Sequence, residues 1–132
     1  MKGQCLCGGV TVTVPRRPEY VNSCDCTACF KLGGLTGYFH PDDVTIAGET
    51  KSFVRSDIEA WISFDFCPTC GAALGWTSLE PLDRKGVNMR LFDPEELVGV
   101  PILFPNGREW NDVDERPTPR HGEVHFARDG PF

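Results

Sequence analysis

Alternating apolar and polar residues predict several short β-strands along the chain. Residues 10–15 (VTVTVP) place three valines on one face and two threonines on the other, the period of a half-buried strand. Residues 60–66 (AWISFDF) alternate in the same way, with Ile62 and two phenylalanines sharing a face. Further strand candidates are residues 36–40, 52–56, 73–76 and 87–91.

The segment 87–91 (VNMRL) predicts which side chains face the interior. Val87, Met89 and Leu91 share one face and are expected to point inward, whereas Asn88 and Arg90 lie on the opposite face.

Signals for helices are sparse. A short helix is predicted within residues 93–101, because Asp93 can cap it and Pro94 fits its first position. Residues 27–32 predict a single turn before two glycines. With 14 glycines and 11 prolines, the chain favours turns and short strands. We therefore expect a mainly β fold.

The length of 132 residues suits one domain over residues 1–132. From residue 105 onward the sequence is polar and rich in proline. This stretch, residues 105–132, is interpreted as a C-terminal extension that either wraps around the domain in an ordered form or forms a loose tail.

Charge and hydropathy exclude two classes of partner. The formal net charge is −6 and no cluster of Lys and Arg interrupts it, so nucleic acid is not an expected partner. No segment approaches the roughly 20 apolar residues needed to span a membrane. The N-terminus lacks the apolar core of a signal peptide, and we expect the protein in the cytoplasm.

Seven cysteines fall into three groups with spacings typical of metal ligands. They are Cys5 and Cys7 in CLC, Cys24, Cys26 and Cys29 in CDCTAC, and Cys67 and Cys70 in CPTCG. An odd number cannot pair fully within one chain, and a reducing compartment disfavours disulfides. Metal binding is therefore the favoured interpretation.

The spacings divide the seven thiols into four and three. Tetrahedral zinc accepts four thiolates in structural sites, and the two flanking groups together supply four. We expect Cys5 and Cys7, at i and i+2 of an extended strand, to point the same way and to join Cys67 and Cys70. Three thiolates then remain in CDCTAC, and three protein ligands with one open position is the general form of catalytic zinc.

Each group also has a simpler interpretation. Cys5 and Cys7 could be ordinary strand residues, and Cys67 and Cys70 could be a redox pair, because C-x-x-C also suits thiol exchange. The remaining cluster could be structural, with His40 or Asp25 as a fourth ligand.

Four segments together resemble the glutathione-dependent formaldehyde-activating enzyme family, which also includes centromere protein V. These segments are GQCLCGGVTVTV, NSCDCTACFKLGG, FDFCPTCGAAL and GVNMRLFDPEEL, and they extend through residues 3–97. The order C-x-C-G, C-x-C-x-x-C and F-C-x-x-C-G carries the resemblance.

The resemblance implies a β-tent fold, built from small antiparallel sheets around zinc. It implies two zinc ions per chain, with the second site fully or partly occupied. Cys5, Cys7, Cys67 and Cys70 would hold the structural ion, and Cys24, Cys26 and Cys29 the second, catalytic one.

The implied activity is that of a carbon–sulfur lyase acting on S-hydroxymethylglutathione, with a small-molecule thiol or thiol–aldehyde adduct as the partner. Lys31, Arg55 and Arg90 are candidates to bind a substrate carboxylate, and Asp25 could tune the neighbouring ligands through hydrogen bonds. The alternative is a non-catalytic β-tent binding module in which zinc only stabilises the fold.

Overall fold

The computed structural model describes residues 1–110 and 118–130, and its regular structure is mainly strand. The strands are β1 (Lys2–Gln4), β2 (Thr11–Thr13), β3 (Val21–Asn22), β4 (Thr36–Phe39), β5 (Thr45–Ala47), β6 (Lys51–Phe53), β7 (Ile62–Phe66), β8 (Ala73–Ser78), β9 (Lys85–Asn88), β10 (Pro101–Phe104) and β11 (His121–His125). The helices are α1 (Thr27–Leu32) and α2 (Pro94–Leu97), and single 3-10 turns cover Pro41–Asp43 and Met89–Leu91.

The strands form two sheets, which confirms the predicted mainly β class. A three-stranded antiparallel sheet has the order β1-β2-β5, and an eight-stranded sheet has the order β11-β10-β3-β4-β9-β8-β7-β6. The larger sheet is antiparallel except where β10 runs parallel to β3. No helix in the described ranges has the length and apolar character needed to cross a membrane.

The main core contains valines from both sheets. Val12 and Val14, from the predicted alternating strand, pack in one cluster with Val21, Val87 and Ile102 of the larger sheet. All five side chains are at most 1% exposed. The alternation in residues 10–15 therefore identified a core-facing strand correctly.

The prediction that Asn88 faces away from the interior is wrong. Asn88 is 8% exposed and lies at the end of β9, where the chain turns into the 3-10 turn at Met89–Leu91. Its side chain accepts the N–H of Leu35 (3.3 Å) and of Arg90 (3.2 Å) and donates to the carbonyl of Ala73 (2.9 Å). Burial is tolerated because these bonds satisfy the amide.

In β7 the polar face is the more buried one. Ser63 and Asp65 are 8% and 9% exposed, whereas Ile62, Phe64 and Phe66 are only half-buried. The strand alternates as predicted, but a polar network covers one face.

The Asp65 carboxylate is the centre of that network. It accepts hydrogen bonds from the hydroxyls of Ser52 (2.7 Å) and Thr77 (2.6 Å). The ammonium of Lys85 lies 3.3 Å from the same carboxylate and also donates to Thr77. These four side chains connect β6, β7, β8 and β9 across the sheet. An ion pair with this little exposure is stable only when hydrogen bonds also satisfy it.

The predicted helix at residues 93–101 is shorter than the pattern suggested. Its cap is confirmed, because the side chain of Asp93 accepts the N–H of Glu95 at 2.9 Å. The helix ends at Leu97, Gly99 adopts φ 87°, and β10 starts at Pro101.

The described part of the C-terminal extension returns to the sheet. Strand β11 pairs antiparallel with β10, with Ile102 opposite Val124. The parts of the extension at 111–117 and 131–132 lie outside the described residues.

We predict that Asp65→Ala lowers the free energy of unfolding by about 3 kcal/mol, because it leaves the ammonium of Lys85 without its partner in a largely buried position. Urea unfolding at fixed metal content measures the change. Glu19→Ala, which removes an exposed pair with Arg16, is the control and should cost less than about 1 kcal/mol. Equal effects in the two variants would contradict a stabilising role for the network.

Candidate metal centres

Four cysteines from two distant turns meet at one point. Cys5 and Cys7 follow β1, and Cys67 and Cys70 lie between β7 and β8. Their sulfur atoms all lie within 4.8 Å of one another, and all four thiols are free. We call this set the four-cysteine cluster.

The sulfur spacing in the four-cysteine cluster fits tetrahedral zinc. The Sγ atoms of Cys5 and Cys7 are 3.6 Å apart, and those of Cys7 and Cys67 are 3.7 Å apart. Four sulfurs at a zinc–sulfur distance of about 2.3 Å would be separated by about 3.8 Å. A disulfide would need sulfurs at about 2.05 Å, so the arrangement suits a shared ion rather than a bridge.

Backbone N–H groups surround the same sulfurs. Val10 donates to Cys5 Sγ (3.2 Å) and Gly9 donates to Cys7 Sγ (3.4 Å). The N–H of Ala72 is the main factor that lowers the pKa of Cys70, to about 6. Such donors stabilise the thiolate form that metal binding requires.

Glycine follows the last cysteine of each turn for a conformational reason. Gly8 and Gly71 have φ of 76° and 74°, in the region that residues with a side chain rarely adopt.

The prediction that Cys5 and Cys7 lie on an extended strand is wrong, since β1 ends at Gln4 and the N–H of Gly8 bonds to the carbonyl of Cys5 at 2.9 Å. The two thiols meet because the chain turns there.

The other three cysteines form a second group, which we call the three-cysteine cluster. Cys24 and Cys26 lie in the loop after β3, and Cys29 lies in α1. Their sulfur atoms lie within 4.8 Å of one another. Cys26 caps α1 by accepting the N–H of Cys29 at 3.4 Å, and Cys24 accepts the N–H of Cys26 at 3.4 Å.

No further Cys, His, Asp or Glu in residues 1–110 and 118–130 joins the three-cysteine cluster. The two candidates for a fourth ligand are engaged elsewhere. His40 contacts Asp42 and Asp83, and the Asp25 carboxylate accepts the N–H of Gly107 at 2.8 Å. Within the described chain this cluster therefore offers three ligands.

Hydrogen bonds among the three thiols shift their pKa values in opposite directions. Hydrogen bonds from Cys24 and then Cys29 lower the pKa of Cys26 to about 2. The same contacts with its two neighbours raise the pKa of Cys29. These hydrogen bonds favour the thiolate form at Cys26, the form that binds a cation.

Tyr38, in β4, is hydrogen-bonded to Asn22, the last residue of β3 before the three-cysteine cluster. Its hydroxyl accepts a hydrogen bond from the amide of Asn22 (2.8 Å), and the guanidinium of Arg84 stacks 3.7 Å from its ring centroid. Burial raises the pKa of Tyr38. The sequence contained no signal for this residue beyond its place in a predicted strand.

The three predicted carboxylate-binding side chains have different surroundings. Arg55 forms a two-point ion pair with Asp57 at 2.9 and 2.7 Å, and this pair raises its pKa together with the charge of Cys26. Lys31 lies in the last turn of α1 and contributes to lowering the pKa of Asp57. Arg90 is exposed on the turn that packs against β1, in the other sheet.

The C-terminal segment contributes residues that sequence reasoning missed. Gly107, Arg108 and Arg120 contact the loop that carries Cys24 and Cys26. These residues lie more than 80 positions away from the loop along the chain. No local sequence pattern therefore indicated that they contact it.

Comparison with solved structures shows a similar fold. A crystal structure of a Rhodobacter sphaeroides protein aligns with a TM-score of 0.63 at 24% identity, covering 77% of this chain and 99% of that one. Comparison with curated proteins finds no significant match. The description of the family that matches residues 1–100 is glutathione-dependent formaldehyde-activating enzyme. Because that match covers most of the sequence, the chain belongs to the glutathione-dependent formaldehyde-activating enzyme family.

Proposed function

We propose that the protein is a zinc-dependent carbon–sulfur lyase acting on a thiol–aldehyde adduct such as S-hydroxymethylglutathione. The observation that carries the proposal is the three-cysteine cluster, which offers three ligands and no fourth within the described chain. Catalytic zinc keeps such an open position. Membership of a family named for glutathione and formaldehyde supports the substrate class.

The two clusters would hold two zinc ions with different roles. Cys5, Cys7, Cys67 and Cys70 would supply all four ligands of one ion and leave no position for substrate. Cys24, Cys26 and Cys29 leave one corner open. Unpaired thiols persist most readily in a reducing compartment, so we propose the cytoplasm as the location.

Zinc held by the three-cysteine cluster would supply a position where a substrate sulfur is bound as a thiolate. Three cysteine thiolates give the loaded site a net negative charge, which suits sulfur exchange better than the formation of hydroxide. In the lyase direction the carbon–sulfur bond of the adduct breaks and its electron pair stays on sulfur. The hydroxyl of the adduct loses its proton as the aldehyde carbonyl forms, so the products are a thiol and an aldehyde.

Tyr38 is placed to bind the oxygen of the adduct in this proposal. Its hydroxyl oxygen accepts from Asn22, and its own hydrogen donates to no group in the described chain. Because burial raises its pKa, the phenol stays protonated at neutral pH and acts as a donor. If the adduct reaches this hydroxyl, the phenol would stabilise charge that develops on the aldehyde oxygen.

The four-cysteine cluster should be required for folding. We predict that Cys67→Ser gives insoluble or unfolded protein, because structural zinc contributes on the order of 10–16 kcal/mol, comparable to the stability of a whole domain. Solubility, circular dichroism and zinc content measure the effect. A folded variant with an unchanged melting temperature would show that these thiols do not hold a structural ion.

The three-cysteine cluster should be separable from folding. We predict that Cys26→Ser stays folded and loses one zinc per chain, because its ligands close only a short loop and their release frees little chain entropy. Zinc analysis with a melting curve measures both properties. If Cys26→Ser unfolds globally, the cluster is a structural element, as in a non-catalytic binding module.

The open corner should accept a thiol. With cobalt in place of zinc, we expect glutathione to change the sulfur-to-cobalt charge-transfer bands of the wild type but not of Cys26→Ser. The physical reason is that a new thiolate would enter the coordination of the three-cysteine cluster. A spectrum that stays unchanged in millimolar glutathione, with the site loaded, would favour the binding-module function.

A further inference from the structure

Asp25 lies between two cysteines of the three-cysteine cluster, and its carboxylate contacts the segment after β10. One oxygen accepts the N–H of Gly107 at 2.8 Å and that of Arg108 at 3.4 Å. The side chain of Asp25 is only 16% exposed. Asp25 therefore anchors the loop to the C-terminal segment.

Two arginines extend this contact to the backbone of the loop. The Nε of Arg120 lies 3.4 Å from the second oxygen of Asp25, and its Nη2 donates to the carbonyl of Ser23. The Nε of Arg108 donates to the carbonyl of Asp25 at 3.0 Å. The two arginines thus hold both the Asp25 side chain and the backbone carbonyls next to the cysteines.

Gly107 packs directly against the cysteines. A Cβ at this position would lie 2.5 Å from Cys24 Sγ, 2.7 Å from Cys26 Cβ and 2.9 Å from Cys26 N. No side chain fits there without movement of the loop. Gly107 therefore forms one wall of the three-cysteine cluster.

The sheet brings these residues to the loop. Strand β10 lies between β3 and β11, so the chain leaving β10 passes beside the chain leaving β3. The N–H of Ser23 bonds to the carbonyl of Leu103 (2.8 Å), and the N–H of Arg120 bonds to the carbonyl of Phe104 (2.9 Å). Gly107, Arg108 and Arg120 all lie beyond residues 1–100, the range that the family model matches.

We propose that Gly107, Arg108 and Arg120 form a C-terminal brace that holds the second metal site in its binding arrangement. Asp25 and these three are positioning residues: Gly107 packs directly against Cys24 and Cys26, and the others hold the loop that carries them. The proposal rests on the proposed function in that it assigns a metal to the three-cysteine cluster. Since the brace orders the loop before metal arrives, it lowers the entropy lost on binding.

Two pairs of variants test the brace. Gly107→Ala introduces the clash, and Gly122→Ala is its control, because a Cβ at Gly122 meets nothing within 4 Å. Arg120→Ala removes the contacts to Asp25 and Ser23. Its control is Arg128→Ala, which removes an exposed ion pair with Glu95.

We expect Gly107→Ala and Arg120→Ala to weaken zinc binding at the second site about 10- to 100-fold, the range typical of residues that orient metal ligands. Chelator competition measures this affinity while the four-cysteine cluster stays loaded. The ligand-field bands of cobalt at the second site should also change, which a general loss of stability would not cause. Gly122→Ala and Arg128→Ala should match the wild type in both measurements.

The reactivity of metal-free thiols separates failure of the brace from failure of the proposed function. Without metal at the second site, Cys24, Cys26 and Cys29 should react faster with Ellman's reagent in Gly107→Ala and Arg120→Ala than in the controls. If the wild type binds no second metal, the proposed function fails. The brace is then tested by thiol reactivity alone, as the difference between Gly107→Ala or Arg120→Ala and the controls. If Gly107→Ala does not fold, Arg120→Ala decides. Affinity, spectrum and reactivity equal to the controls would overturn the proposal.

Discussion

Two turns that lie sixty residues apart in the chain meet through four thiol side chains, and this contact joins the two sheets. Cys7 and Cys67 are separated by 60 positions, yet their sulfurs are 3.7 Å apart. One turn belongs to the small sheet and the other to the large sheet. Cys5 and Cys67 are each 1% exposed and pack with Val10 and Leu74 in a core of their own. Four sulfurs this close repel one another once ionised, and a shared cation would offset that repulsion and link the two sheets at this point.

The three-cysteine cluster differs from the four-cysteine cluster in its number of ligands and in their spacing along the chain. Its ligands are close in sequence, all three are only partly buried, and it lies beside β3 where the large sheet passes from β4 to β10. Tyr38 is on one side in the sheet order and the C-terminal brace is on the other. In the proposed function, one cluster would stabilise the fold, while the other would lose or exchange a ligand without unfolding it. This division of roles would follow from the number of thiols, because seven cysteines supply four ligands to one site and only three to the other.

The sequence was sufficient for the cysteine grouping and for the main strands. The spacing of the seven cysteines and the alternation in residues 10–15 depend on local geometry, which short sequence patterns report well. Burial of Asn88 and Asp65 could not be read from the pattern, because each is stabilised by partners from other strands. Gly107 and Arg120 were missed for the same reason: the parallel pairing of β10 with β3 brings them to the cluster, and no local signal encodes that pairing.

The central claim is that one site is saturated by four cysteines and the other is left one ligand short. X-ray absorption at the zinc edge tests it directly, because it counts sulfur and lighter neighbours around the metal. With seven cysteines shared by two ions, the protein alone should show about 3.5 sulfurs and 0.5 oxygen per zinc. Glutathione should raise the average to about 4 sulfurs with loss of the oxygen. A single zinc per chain, or an average that does not change when glutathione is added, would contradict the account.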